Sequence, residues 1–561
     1  MDYITTEQQN IIPSQNKDCS DDLQSFFDNI ADDTTAVISP GEYYLEKAVK
    51  IHNHKNVKIL GYGVTLIARY NLCNPYAFAG IFDVFDCENC EICGMKVTTD
   101  KRPNSLGRVV NIDYDKLIVD ICLIPEHTLT GKEKIYCFDS CDEDFVPNRH
   151  CYFAYGDGYG YLKLSRNVIR LIAHPSLRSQ ILDIRKNELI CMKHSLYPKI
   201  PILFWNCSDI VVKDVTVESA PGVACGIYPR CKNFTFKRFC IRLPHGNKRV
   251  YSSNADGIHV TGLEGKLVVE DCIFENLGDD AINVHNEGAT VHNVGNGVIS
   301  CYSRRFNSTP HEKSSRLNKN WAKKGDTVDV YDSKTFGKKG SFTVAAYDVN
   351  RIEFEDKDID FQIEAGDYLA NATFFCETEI RRCIMKNSRA RAFVLQTHNV
   401  TVEDCRFIGM AISAIIVSPD MVTWSEMGPM ENLTIRNNVF ERCGNAANTV
   451  CGGIIIGNCH HDLGGIGDVY PAGMHRNIII ENNKFINVDS PAVIALSVDG
   501  LKINNNVIIE PNEKYTVNRE SAPEYMMLKN CDGIEFENNQ LIGDTDKEMC
   551  KLQSAVCVEN K

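Results

Sequence analysis

Nowhere in its 561 residues does the sequence hold an apolar run approaching the ~20 residues that a bilayer span requires. The opening segment, MDYITTEQQNIIPSQNKD, also lacks a basic stretch followed by an apolar one. The expectation is a protein with no membrane span, cytoplasmic as the sequence stands and secreted if an export signal has been trimmed. Long basic stripes interleaved with aromatics are missing as well, and the formal net charge of -14 would repel a phosphate backbone, so nucleic acid is excluded as a partner. What is present, 43% hydrophobic and 24% charged residues, suffices for a large buried core and excludes disorder. The 25 cysteines are odd in number, in a long chain without an export signal, which favours reduced thiols over a disulfide framework. Cys87, Cys90 and Cys93 have the C-x2-C-x2-C spacing of a metal or iron–sulfur site. Cysteine recurs elsewhere at one slot of a repeat, however, where it acts as a small buried hydrophobe. No metal and no cofactor are therefore expected.

The repeat is visible in the runs VVEDCIF, TVEDCRF, TIRNNVF, IIENNKF, KINNNVI and EFENNQL. Their aligned slot falls at Cys272, Cys383, Cys405, Asn438, Asn483, Asn506 and Asn539, with spacings of 22 to 45 residues from Cys383 onward. IVVKDVTV and NFTFKRF extend the series upstream. Each run reads as a short strand with alternate side chains inward, ended by a polar residue that stacks on its counterpart in the next coil. Such a series predicts an all-β solenoid, a right-handed parallel β-helix, with asparagine at the bend tolerating a left-handed backbone.

Leu23, Phe26, Phe27 and Ile30 recur at helical spacing behind Ser20 and two acidic residues, which predicts an N-terminal capping helix. The repeat is lost over 107–198 and again over 287–372, where short alternating strands are broken by turns such as GDGYGY and GKKGS. Two small inserted β domains are expected there, between first coils at 1–106, middle coils at 199–286 and C-terminal coils at 373–561. The basic stretch HEKSSRLNKNWAKKGD in the second insertion reads as a solvated loop.

The chemistry concentrates in one segment. Asp279 follows Asp256 by 23 residues, about one coil, so Asp256 should sit one rung, about 4.8 Å, from the pair Asp279 and Asp280. Crowded carboxylates raise at least one pKa, as a general acid working near neutrality needs. An inverting glycosidase needs an acid and a base about 6.5 to 9.5 Å apart, and three aspartates on two rungs suit that. Successive strand residues point to opposite faces, so both members of the pair reach the site only if Gly278 lets the chain bend. The alternative is a pair that caps a bend or binds a cation. His259, Asn283 and His285 lie at alternate positions from the aspartates, and Arg389, Arg391, Asp420, Trp424 and Glu426 follow in later coils. Tryptophan stacks on the apolar face of a galactose-type ring, while arginine holds hydroxyls or a carboxylate.

Taken together, the run from Arg249 through Ser253 and Asp256 to His259, DD-x2-N-x-H from Asp279 to His285, RAR from Arg389 to Arg391 and D-x3-W-x-E-x-G from Asp420 to Gly428 resemble glycoside hydrolase family 110. These are inverting α-galactosidases that remove terminal α-1,3-linked galactose, as from blood group B-type glycans. The resemblance covers most of the chain and its motifs keep their order. It implies a β-helix with two inserted barrels, a galactose-terminated glycan or oligosaccharide as partner, Asp279 as general acid, and Asp256 with Asp280 activating water. Arg249, His259, Asn283, His285, Arg389, Arg391, Asp420, Trp424 and Glu426 are the expected substrate-binding residues. NADGIHV and GDDAINV also resemble polygalacturonase motifs, but the GHG and RIK motifs of that family do not follow. The rival readings are a pectin-type hydrolase or lyase and a non-catalytic carbohydrate-binding β-helix. Oligomeric state is left open.

Overall fold

The computed structural model describes residues 2–143, 147–153, 161–244, 246, 249–305, 308–310, 312–354, 359–444, 451–460, 465–489, 491–511, 524–543 and 548–553. Most of them lie on a parallel β-helix with three faces. One coil shows the pattern: Glu264–Glu270 on the first face, Ile273–Glu275 on the second and Ile282–Glu287 on the third. Each strand pairs in parallel with its counterpart in the coils before and after, as Ile258–Thr261 does with Ile282–Glu287 and that strand with Phe393–Leu395. The long strands Lys58–Ala68 and Glu88–Thr99 turn the corner unbroken and join the first two faces into one sheet.

Alternation sends Leu267, Val269 and Phe274 into the core and leaves Val268 and Glu270 at the surface. Inward phenylalanines stack at coil spacing, Phe407 on Phe440 at 4.6 Å and Phe440 on Phe485 at 4.7 Å. The corner between the first two faces divides its labour between neighbouring residues, unlike the expectation that one asparagine does both jobs. The left-handed residues are Asp271, Arg382, Asp404, Asn437, Asn482, Asn505 and Asn538, each one position before the aligned slot. The slot residue points inward. Asn438 donates from its amide and Nδ2 to Asn483 Oδ1, and Asn483 does the same to Asn506 Oδ1, all at 3.0 Å. Cys405 continues the ladder, its backbone N–H donating to Asn438 Oδ1 at 2.9 Å. Asn483→Ala removes this acceptor and two donors from a fully buried position. A loss of about 2–4 kcal/mol is expected from the orphaned partners, read as a lowered midpoint in denaturant unfolding.

The solenoid begins earlier than the cap. Asp2–Thr5 pairs in parallel with Thr34–Val37, and Ser14–Asp18 with Gly41–Leu45, so these strands form the first rung. The helix Ser20–Asp28 takes the third-face position of that rung, burying Leu23, Phe26 and Phe27. Phe27 meets Phe82 edge to face. Asp18 Oδ1 accepts from the Ser20 amide at 2.9 Å, so aspartate supplies the oxygen at the helix start. No described helix is long and apolar enough to cross a membrane.

Between Asn104 and Lys193 seven antiparallel strands form a sheet with its own core around Val109, Ile121, Phe138 and Ile190. Among the described residues no pairing joins its edge strands, Pro147–Phe153 and Tyr161–Lys163. The second insertion, from Ala289 to Asn371, is a closed six-stranded barrel. Its basic stretch is only half solvated, because Leu317, Trp321 and Ala322 belong to the barrel core and Trp321 Nε1 donates to the Glu287 carbonyl at 2.6 Å. Cys87 and Cys90 bury their thiols against the carbonyls of Ile51 and His54, while Cys93 points to Glu91. Every cysteine with a described side chain is a free thiol.

Candidate active site

Asp256 and the pair Asp279 and Asp280 lie in the bends that enter successive third-face strands, Ile258–Thr261 and Ile282–Glu287. Outside a regular strand the alternation rule no longer separates Asp279 from Asp280. The bends stack directly: Gly278 N–H donates to Ser253 O and Gly257 N–H to Asp280 O, both at 2.8 Å. Gly278 is required here by crowding, not by a left-handed backbone, since a Cβ would strike the Asn254 carbonyl and come within 2.7 Å of Lys193 Nζ. One oxygen from each aspartate lies within 4.8 Å of the others, and among the described residues no other three or more potential ligands converge so closely. This spacing is tighter than the ~6.5–9.5 Å expected between an inverting acid and base.

Arg391, from the next coil, binds the pair. Its Nε donates to Asp280 Oδ1 at 2.5 Å, while Nη2 reaches Asp280 Oδ2 at 3.1 Å and Asp279 Oδ1 at 3.3 Å. Arg389 Nε donates to the Gly278 carbonyl at 2.6 Å, and its Nη2 stands 3.8 Å from Asp279. Asp256 Oδ2 lies 2.7 Å from His259 Nδ1. His259 and His285 face each other through Nε2 atoms 3.2 Å apart, a spacing that needs a proton between them, and His285 is 3.7 Å from Glu426. Glu426 also accepts from Gln396 Nε2 at 3.0 Å. Asn283 lies beside His259 in register, and its buried Oδ1 has no protein partner.

Burial pushes Asp280 up to about 8, with Arg391 opposing and the charges of Asp279 and Asp256 adding. Asp256 is also raised, chiefly by burial, against the bond from His259. His259 is raised in turn: burial would lower it, but the bond to Asp256 and the charges of Asp256 and Glu426 outweigh that. An acid whose folded pKa exceeds its ordinary 3.8 contributes stability that is complete below about pH 4 and lost as pH rises through about 8. Asp280→Asn is therefore expected to flatten the fall of thermal unfolding temperature across that window.

These groups line a cavity of about 370 Å³ together with Tyr197, Tyr228, Arg305 and Trp424. Of the residues expected from sequence, Asp256, His259, Asp279, Asp280, Asn283, His285, Arg389, Arg391, Trp424 and Glu426 meet there. Two do not. Arg249 is turned towards the Glu218 carbonyl at 3.2 Å, beneath the first insertion. Asp420 Oδ1 accepts from the amides of Val422 and Thr423, holding the loop that presents Trp424 and Glu426. Sequence reasoning missed Tyr197, Tyr228 and Arg305. Trp424 packs edge to face on Tyr197 at 6.3 Å, and its carbonyl accepts from Arg305 Nε at 3.3 Å.

A family profile described as a right-handed β-helix region matches residues 328–463. The protein named α-1,3-galactosidase B of Bacteroides thetaiotaomicron is 26% identical over 400 residues, covering 69% of this chain and 61% of that one. Its namesake in Akkermansia muciniphila is 27% identical over 382 residues, 66% of this chain and 46% of that one. α-1,3-Galactosidase A of Bacteroides fragilis is 29% identical over 332 residues, 58% and 52%. The chain thus spans about half the length of the curated relatives it matches. Among solved structures, the family 28 exopolygalacturonase of Yersinia enterocolitica superposes with a TM-score of 0.43 at 11% identity, covering 100% of this chain and 79% of that one. This chain is a right-handed parallel β-helix protein homologous to bacterial proteins named α-1,3-galactosidase.

Proposed function

We propose that the protein is a glycoside hydrolase, an exo-acting and inverting α-galactosidase that removes terminal α-1,3-linked galactose from a glycan or oligosaccharide. The observation that carries this reading is the convergence of Asp256, Asp279 and Asp280, clamped by Arg391, on the floor of a cavity of substrate size. Similarity to proteins named for that reaction supports it. Asp279 keeps 17% of its side-chain surface exposed, whereas Asp280 keeps 3% and Asp256 9%. The leaving oxygen meets Asp279, which gives it a proton. Water held between Asp256 and Asp280 loses a proton to them and attacks the anomeric carbon as the glycosidic bond breaks. The proton gained by the base must return to the acid before the next turnover.

A retaining reaction would need a free, ionised carboxylate as nucleophile. Asp280 is held by Arg391 and Asp256 is bonded to His259, so neither carboxylate is free to attack the sugar, while the raised pKa makes each the stronger base once it is ionised. No step in this reading runs through a metal. Trp424 offers a face for the sugar, and Asn283 Oδ1 an acceptor for a hydroxyl. The test is incubation with Galα1-3Gal and with polygalacturonate, each with and without chelator. Galactose release from the first alone, indifferent to chelator, supports the reading. Cleavage of polygalacturonate, or loss of activity on chelation, overturns it.

A further inference from the structure

The base of the first insertion reaches under both catalytic bends. Lys193, the last residue of the strand Leu189–Lys193, is 1% exposed. Its Nζ donates to the Gly278 carbonyl at 2.9 Å, one residue before Asp279. The same ammonium lies 3.4 Å from Asp139 Oδ2 and 4.4 Å from the ring centroid of Tyr251, whose hydroxyl donates to that carboxylate oxygen at 2.9 Å. Asp139 is fully buried on the neighbouring strand Cys137–Cys141. From the solenoid side Arg389 Nε donates to the same carbonyl at 2.6 Å. One peptide oxygen thus takes two cationic donors, from elements that approach it from different domains. The other bend is tied down in parallel: Asn254, two residues before Asp256, donates from Nδ2 to the carbonyls of Pro103 and Ser195 at 3.1 Å and accepts from Asn104 Nδ2 at 3.1 Å.

We infer that Lys193 is a positioning residue for the aspartate pair, its buried ammonium fixing the Gly278 peptide so that Asp279 and Asp280 face Asp256 across one rung. The inference rests on the proposed glycosidase reading. Charge-assisted bonds to a carbonyl are short and directional, and two of them fix the tilt of a peptide plane that one alone leaves free to rotate. The peptide plane sets where the next Cα–Cβ bond points, so its tilt is transmitted to the Asp279 carboxyl. A misplacement of about 1 Å at a reacting group is enough to cost ~100-fold in rate. Lys193 also needs a counter-charge in its dry site, and Asp139 with the Tyr251 hydroxyl supplies it without competing for Gly278. The first insertion is on this account part of the catalytic apparatus, although none of its described residues contributes a carboxylate to the site.

Lys193→Met alone leaves Asp139 unpaired and risks unfolding, so the decisive protein is the double variant Lys193→Met/Asp139→Asn, which removes both charges. The expected result is a thermal midpoint recovered relative to Lys193→Met, kcat still lowered by ~100-fold and KM changed by less than about threefold. A second readout needs no substrate. In protein labelled with 13C-carbonyl glycine and 15N-aspartate, the Gly278 carbonyl signal should move upfield in the double variant, because it loses one of two cationic donors. If kcat recovers together with the thermal midpoint, or if the Gly278 signal is unchanged, Lys193 only balances Asp139 and the inference is overturned. If the unmodified protein releases no galactose, the proposed function falls by itself, and the carbonyl signal still decides whether Lys193 holds the bend.

Discussion

Asp279→Asn is expected to lower galactose release from Galα1-3Gal at neutral pH by ~10³-fold or more while leaving the binding of galactose within a few-fold. The side chain keeps its shape and its neighbours Arg389 and Arg391 but can no longer give up a proton. The size of the loss should depend on the leaving group. A nitrophenyl galactoside departs with little protonation, so the variant should retain far more of the original rate on it than on the disaccharide. Equal losses on both substrates would remove Asp279 from the acid role, and a loss below tenfold on the disaccharide would place the acid elsewhere. Calorimetric titration with galactose separates either outcome from a collapsed site.

The second large effect is expected for Arg391→Met. Arg391 is bonded to both Asp279 and Asp280, and Asp280 is 2% exposed. Without it an ionised Asp280 stands unpaired in a dry site, a loss of about 3–5 kcal/mol. The carboxyl escapes part of that loss by staying protonated, so its pKa, already about 8, moves further up. The variant should therefore be destabilised most above pH 8 and least near pH 5, as read by denaturant unfolding at each pH. Turnover at neutral pH should fall by ~100-fold or more, because the ionised fraction of Asp280 that can act as a base, already the smaller one below pH 8, shrinks further. The acid limb of its kcat profile should shift to higher pH. A loss of stability independent of pH would show that Arg391 acts through packing and not through the Asp280 charge.

The repeat made much of the solenoid readable, because inward residues recur at a fixed place in every coil. The 23-residue interval between Asp256 and Asp279 translated directly into stacked bends. RAR is 111 positions beyond Asp280 at Arg391, yet the barrel between them closes on itself and returns the chain to the next rung, which is why motif order survived the insertion. The slot alignment fixed the ladder but not its neighbour. Nothing in NN or DC says which of two polar residues turns left-handed and which turns inward, and only the stacked hydrogen bonds decide.

Insertions carry no such register. Tyr197, Arg305 and Lys193 are ordinary residues by sequence, and their places follow from how two separate β units dock on the helix. Arg249 and Asp420 were legible as parts of motifs and still misplaced. A motif marks a segment, while the direction of each side chain depends on local partners: the Glu218 carbonyl for Arg249, and two loop amides for Asp420. The strand order of the first sheet was equally out of reach, since alternation and turns are the same whichever strands pair.

The most direct test of the account is a time-resolved proton NMR experiment on the purified protein acting on Galα1-3Gal, following the anomeric signals before mutarotation equilibrates them. The account predicts β-galactose first, from water delivered between Asp256 and Asp280 to the face opposite the leaving group. α-Galactose first would mean that one of the aspartates attacks the sugar directly, as their oxygens within 4.8 Å would allow. No galactose at all would contradict the assignment of this site to α-galactoside hydrolysis.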